Sequence, residues 1–166
     1  GSAVLTETLS QYSALMVMEK EYGQPYMQRF LRYEQDNYLF NRGSEVLEEL
    51  PLMLVENQGY IHYRKGSLVL YALKDALGED TVNRVLREFI EEWGNKGAPY
   101  PTTRHLIAKF REVAAPEYQS LITDLFEKIV IFDLRAEESF YSELDDGRFE
   151  VIINTSASKF EADGAG

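Results

Sequence analysis

The 166-residue chain has no cysteine, only two histidines and only five prolines. Without cysteine there is no disulfide, no thiolate-bound zinc and no thiol nucleophile, and the redox compartment stays open. The only imidazoles, His62 and His105, stand far apart and in no ligand-spaced motif, so a complete metal centre within the chain is not expected. Long apolar runs are missing as well. The longest, Leu68 to Leu73, ends at Lys74, well short of the ~18 residues of a membrane-spanning helix. The residues contain no signal-peptide pattern. Positive charge is scarce: 17 Lys and Arg stand against 28 Asp and Glu, for a net charge of -11. Such a surface repels phosphate backbones and anionic lipid, so no nucleic-acid partner is expected.

What is present suffices for a folded core. Hydrophobic residues make up 45% of the chain and aromatics 13%, which argues against general disorder. Leu5, Leu9, Tyr12, Leu15 and Met16 recur at helical spacing over residues 4 to 22, with Gly23 as a stop. Pro25 suits the first turn of a second helix whose face carries Met27, Phe30, Leu31, Glu34 and Tyr38. Asn41-Arg42-Gly43-Ser44 is expected to break it. Residues 45 to 58, with Pro51, read as a loop with one short helical turn, and Glu45, Glu48 and Glu49 as its solvated carboxylates.

A third helix is expected from about Tyr60 to Leu77, and a fourth from Val82 to Trp93. Val82, Val85, Leu86, Phe89, Ile90 and Trp93 in this fourth segment form the clearest amphipathic stripe in the chain. Pro99 to Thr103 is a rigid connector, with Thr102 or Thr103 as N-cap of the helix that carries Leu106, Ile107 and Phe110. Pro116 opens a last helix with Leu121, Ile122, Leu125, Phe126 and Ile129 on its face. After about Phe132 the pattern changes. Asp145-Asp146-Gly147-Arg148 is turn chemistry rather than a calcium loop. Phe149 to Thr155 is rich in strand formers, and the strand can extend to Phe160. A lone strand leaves its edge groups unpaired. It either pairs with residues 138 to 144 or begins a β domain. The tail, residues 162 to 166, is expected to be mobile.

Two short segments carry the chemistry. Thr6-Glu7-Thr8 lies near the start of the first helix, where periodicity alone makes Glu7 a solvated carboxylate favoured by the helix dipole. Tyr63-Arg64-Lys65-Gly66 lies near the start of the third, where Tyr63 alone is one of 11 tyrosines. Gly66 inside a helix costs up to ~1 kcal/mol against alanine, so a close backbone contact is expected there. His62 points to another helix face and is not read as a ligand. His105 is read as exposed, and Gln11 and Tyr12 as packing.

Together with Leu5-Thr6-Glu7, Pro99-Tyr100-Pro101-Thr102 and Leu125-Phe126-Glu127-Lys128-Ile129, the Tyr-Arg-Lys-Gly run resembles the gluzincin aminopeptidases of the M1 type. The closer match is to the version fused to bacterial ABC-transporter permeases. In that family H-E-x-x-H supplies two zinc ligands and a general base acting on zinc-bound water. A Glu on a following helix is the third ligand, and a tyrosine donates a hydrogen bond to the oxyanion. The resemblance implies that Glu7 is that third ligand and Tyr63 that donor. It implies zinc and a peptide substrate in the parent protein, and a thermolysin-like catalytic domain of which this is the C-terminal part. Neither H-E-x-x-H nor the amine-binding G-x-M-E-N occurs in the chain.

The expectation is therefore a mainly α chain: an irregular helical bundle over 3–136 and a β-forming segment over 137–166, with Gly1-Ser2 as a tag scar. It would be an excised, inactive piece with no zinc of its own, whose partner is the missing N-terminal half of the catalytic domain. Any membrane anchor would lie in segments outside the chain, with this domain extracytoplasmic. The alternative is a non-catalytic helical interaction or peptide-binding module of a transporter-associated protein.

Overall fold

A computed structural model describes residues 2 to 164 and is mainly α, with one two-stranded antiparallel sheet at the C-terminal end. Six α-helices occur among the described residues: α1 (Leu9–Tyr22), α2 (Gln24–Ser44), α3 (Gly66–Leu77), α4 (Glu79–Trp93), α5 (Thr103–Val113) and α6 (Gln119–Phe126). Two π-helical turns precede helices and run into them: Val4–Thr8 before α1, and Tyr60–Lys65 before α3. The chain divides into a helical unit, through Ile129 with Asp163 and Gly164 added, and a hairpin unit, Val130–Ala162.

Apolar spacing accounts for the helical unit. Val82, Val85 and Phe89 of α4 share one buried core with Leu70 and Leu73 of α3, Leu106 and Phe110 of α5, and Ile122 and Phe126 of α6. Each such side chain contributes about 1.5–3 kcal/mol when fully buried. A smaller cluster, Leu15, Met27 and Tyr71, joins α1, α2 and α3. Gly23, at φ 87°, allows the sharp turn that folds α2 back beside α1. At the other end, the Arg111 guanidinium reaches Gln119, Thr123 and Glu127 and ties α5 to α6.

Three expectations about elements need correction. The second helix does not break at Asn41 but continues to Ser44. Asn41 and Ser44 bond back to carbonyls of the preceding turn, and Arg42 in the last turn pairs with Glu49, which also suits the helix dipole. Ile129 belongs not to α6 but to strand β1 (Ile129–Glu143), so residues 130–136 lie in the hairpin rather than the bundle. The β-branched run Ile129-Val130-Ile131 favours strand over helix. And the tail is anchored at Gly164, which is buried and accepts the Glu49 backbone N–H at 2.9 Å. Gly1, half of the proposed scar, and Ala165 and Gly166 of the tail lie outside the described residues.

In the hairpin unit β1 pairs with β2 (Phe149–Ala162) over a length greater than the expected 138–144. Register is set at the turn, where Leu144 N–H donates to the Arg148 carbonyl at 2.8 Å and Gly147 N–H to the Leu144 carbonyl at 2.9 Å. Asp146 caps the turn through the Arg148 N–H at 3.1 Å. Phe132, Leu134, Phe140, Val151, Ile152 and Phe160 remain exposed along the ribbon.

Candidate functional site

Glu7 and Tyr63 come from the two π-turns, and these pack against each other. A π-turn carries one more residue than the α-helical ladder accommodates and often marks a functional position. The contact is close because residue 66 is glycine: a Cβ there would meet the Thr8 hydroxyl oxygen and approach Thr8 Cγ2 to 2.7 Å. Thr8 is fully buried and its hydroxyl donates to the His62 carbonyl. The close contact expected at Gly66 is made by the Thr8 side chain of the chain's own first turn.

On the outer side of this junction the Tyr63 hydroxyl donates to Glu7 Oε2 at 2.5 Å. Glu7 is half-buried and Tyr63 is 38% exposed, so the pair faces solvent. The hydrogen bond to Glu7 pushes the Tyr63 phenol above its ordinary ionisation range. His62, expected on another helix face, lies beside Tyr63 rather than away from it. Its ring is buried edge-on to Tyr63, with centroids 4.7 Å apart, and its Nδ1 has no hydrogen-bond partner. Burial lowers its affinity for a proton more than the nearby Glu7 charge raises it, which keeps the imidazole neutral at pH 7.

The two residues after Tyr63 are also held by carboxylates. Arg64 Nη1 reaches both oxygens of Glu34 on α2, at 3.2 and 3.0 Å, and lies over the Tyr33 ring. Gln11 of α1 donates to the same carboxylate at 3.0 Å, so it does more than pack. Lys65 Nζ donates to Glu49 Oε1 at 2.7 Å and lies over the Tyr38 ring. Three consecutive side chains are therefore fixed by three carboxylates from three different parts of the chain.

Glu49 overturns the expectation of a solvated acidic loop. It is 4% exposed and accepts from Tyr38 Oη and Arg42 Nε, at 2.7 Å each, as well as from Lys65. Burial alone would raise its pKa. The Lys65 charge and the hydrogen bonds from Lys65, Tyr38 and Arg42 outweigh it and hold the carboxyl below its ordinary range. Glu45 and Glu48 in the same stretch are exposed. Burial, with Glu49 next, pushes the neighbouring Tyr60 phenol up to about 12.

Sequence reasoning singled out Glu7 and Tyr63 but assigned no role to Glu34 or Glu49. Glu34 carried a usable signal: a carboxylate within the apolar stripe of α2 has to find a cation. Glu49 carried none, because its loop has no periodicity. His105 is exposed, as expected, and has a local task. Its Nδ1 accepts the Thr102 N–H at 3.0 Å, which caps α5, and its ring packs against Trp93.

Beside Glu7 an open apolar groove of about 540 Å³ runs between Leu5 and Leu9 on one side and Phe89, Ile90 and Trp93 on the other. For a zinc ion the residues present fall short. Glu7 offers one carboxylate, and among the described residues no three His, Asp or Glu side chains gather as a metal-binding group. No helix among them is long and apolar enough to cross a membrane. No family model, curated protein or solved structure matches the chain.

Proposed function

We propose that the chain is the C-terminal part of the catalytic domain of an M1-type zinc aminopeptidase, of the kind fused to bacterial ABC-transporter permeases. The observation that carries this reading is the convergence of Glu7 and Tyr63, 56 positions apart, on one solvent-facing spot 2.5 Å across. A metal ligand and an oxyanion donor must line the same cavity, and a carboxylate and a phenol on rigid, mutually buttressed turns can do so. In this reading Glu7 contributes one ligand and Tyr63 one donor. The remaining ligands and the general base come from polypeptide that the chain lacks, so by itself it is inactive and binds no zinc. The membrane anchor of the parent lies elsewhere, and this domain is extracytoplasmic.

The apolar groove beside Glu7 favours a second reading, a non-catalytic helical module that binds a peptide or partner segment. The parent gene upstream of Ala3 separates the two. An intact H-E-x-x-H there, with aminoacyl-anilide hydrolysis by the longer product that is lost on Glu7→Gln, supports the peptidase. A longer product without that motif and without hydrolysis leaves the binding module.

A further inference from the structure

We infer that Lys65, seated on the buried Glu49, is the positioning residue for Tyr63: it sets the rotation of the second π-turn and thereby aims the phenol at Glu7. The catalytic meaning of that aim rests on the peptidase reading; the mechanical claim does not.

A single π-turn is a rare departure from the α-helix and persists where its surroundings hold it. If Tyr60–Lys65 relaxed to α-helical winding, side chains along it would be re-aimed, since each helical residue turns the chain by about 100°. The Tyr63 phenol would then leave Glu7. Tyr63 is too exposed to resist this alone, and Arg64, with its side chain 31% exposed, has room to follow. Tyr60, Ile61 and His62 are buried on the side of the turn before Tyr63, and after it Lys65 is the side chain with no such room. Its side chain is 10% exposed, and its ammonium lies between the Glu49 carboxylate and the Tyr38 ring.

The seat is also built independently of Lys65. Arg42 and Tyr38 of α2 fix both Glu49 oxygens. The loop itself is pinned by Gln58, which donates to the Glu48 carbonyl at 2.8 Å and accepts the Leu50 N–H at 3.3 Å, and by the Gly164 carbonyl on the Glu49 N–H. A fixed anion thus dictates where Lys65 ends. Lys65 is two residues from Tyr63 on one hydrogen-bonded turn, so the phenol inherits that constraint.

The test uses the 166-residue chain with ¹³C at tyrosine Cζ, observed by NMR at pH 7. The Tyr63 signal is assigned by its loss in Tyr63→Phe. The double variant Lys65→Met/Glu49→Gln removes both buried charges together and so avoids stranding one of them. The Tyr63 signal is expected to move to the position of a solvated tyrosine, while Lys74→Met, which breaks a distant pair with Glu19, leaves it in place. A folded double variant with an unmoved Tyr63 signal overturns the proposal. Should the double variant lose its far-ultraviolet helix signal, Lys65→Arg decides: a displaced Tyr63 signal supports the proposal and an unmoved one overturns it. No metal or turnover enters the readout, so its failure leaves the peptidase reading standing, and failed hydrolysis by the parent leaves this result standing.

Discussion

The Tyr63 hydroxyl and the Glu7 carboxylate meet at 2.5 Å because Gly66 lets the turn that carries Tyr63 lie against Thr8. Remove the space and the pair separates. Gly66→Ala would normally stabilise a helix by about 1 kcal/mol. Here the new methyl runs into Thr8, and the chain is expected to lose about 1–3 kcal/mol instead. Urea denaturation measures the sign. Adding Thr8→Ala to Gly66→Ala should recover part of the loss, although Thr8→Ala alone also destabilises by removing the bond to the His62 carbonyl. Additive losses would show that the contact is not close.

Glu49 is a buried carboxylate whose removal leaves a cation behind. Glu49→Ala strands Lys65, buried, without its partner, which is expected to cost about 3–5 kcal/mol. The urea midpoint of the variant against that of the parent chain measures it. A loss no larger than that of Glu48→Ala, an exposed neighbour, would contradict the buried cluster.

The same group gives a pH dependence with a definite sign. The folded-state pKa of Glu49 lies below its unfolded value of about 4.3. Its contribution is complete above that value and disappears as pH falls through the lowered folded value. The stability gap between the parent chain and Glu49→Gln should therefore be constant near neutrality and close only in acid, below about pH 4. Urea midpoints of both proteins across that range report it; a gap that widens on acidification would reverse the sign.

For Tyr63 the expected result differs between the chain and its proposed parent. In the chain, Tyr63→Phe should leave the urea midpoint nearly unchanged, because the hydroxyl faces solvent. In the parent peptidase the same change should lower kcat by about 10²–10³, the effect of losing one oxyanion donor. An unchanged kcat would remove Tyr63 from the mechanism.

Zinc titration by calorimetry tests the division of the site. The chain alone is expected to show no stoichiometric binding, since Glu7 is a single ligand. A one-to-one site abolished by Glu7→Gln would require partners among the described residues that the structure does not bring together.

Helix spacing along α1, α3, α4 and α5 and the turn at Asp145 to Gly147 were legible in the residues, since amphipathic period and turn chemistry are local properties. Glu7 and Tyr63 could be named because their neighbours in the chain are distinctive. The resemblance put them in one site, but their direct hydrogen bond and the π-winding that carries both could not be read from the residues. Winding of that kind depends on contacts from remote segments, such as the Thr8 hydroxyl on the His62 carbonyl and Glu49 on Lys65. Glu49 shows the limit most clearly: an acidic residue between two other glutamates in an aperiodic loop reads as solvated. Only tertiary structure surrounds it with Tyr38, Arg42 and Lys65, because burying a charge is favourable only once partners distant in sequence have been brought to it.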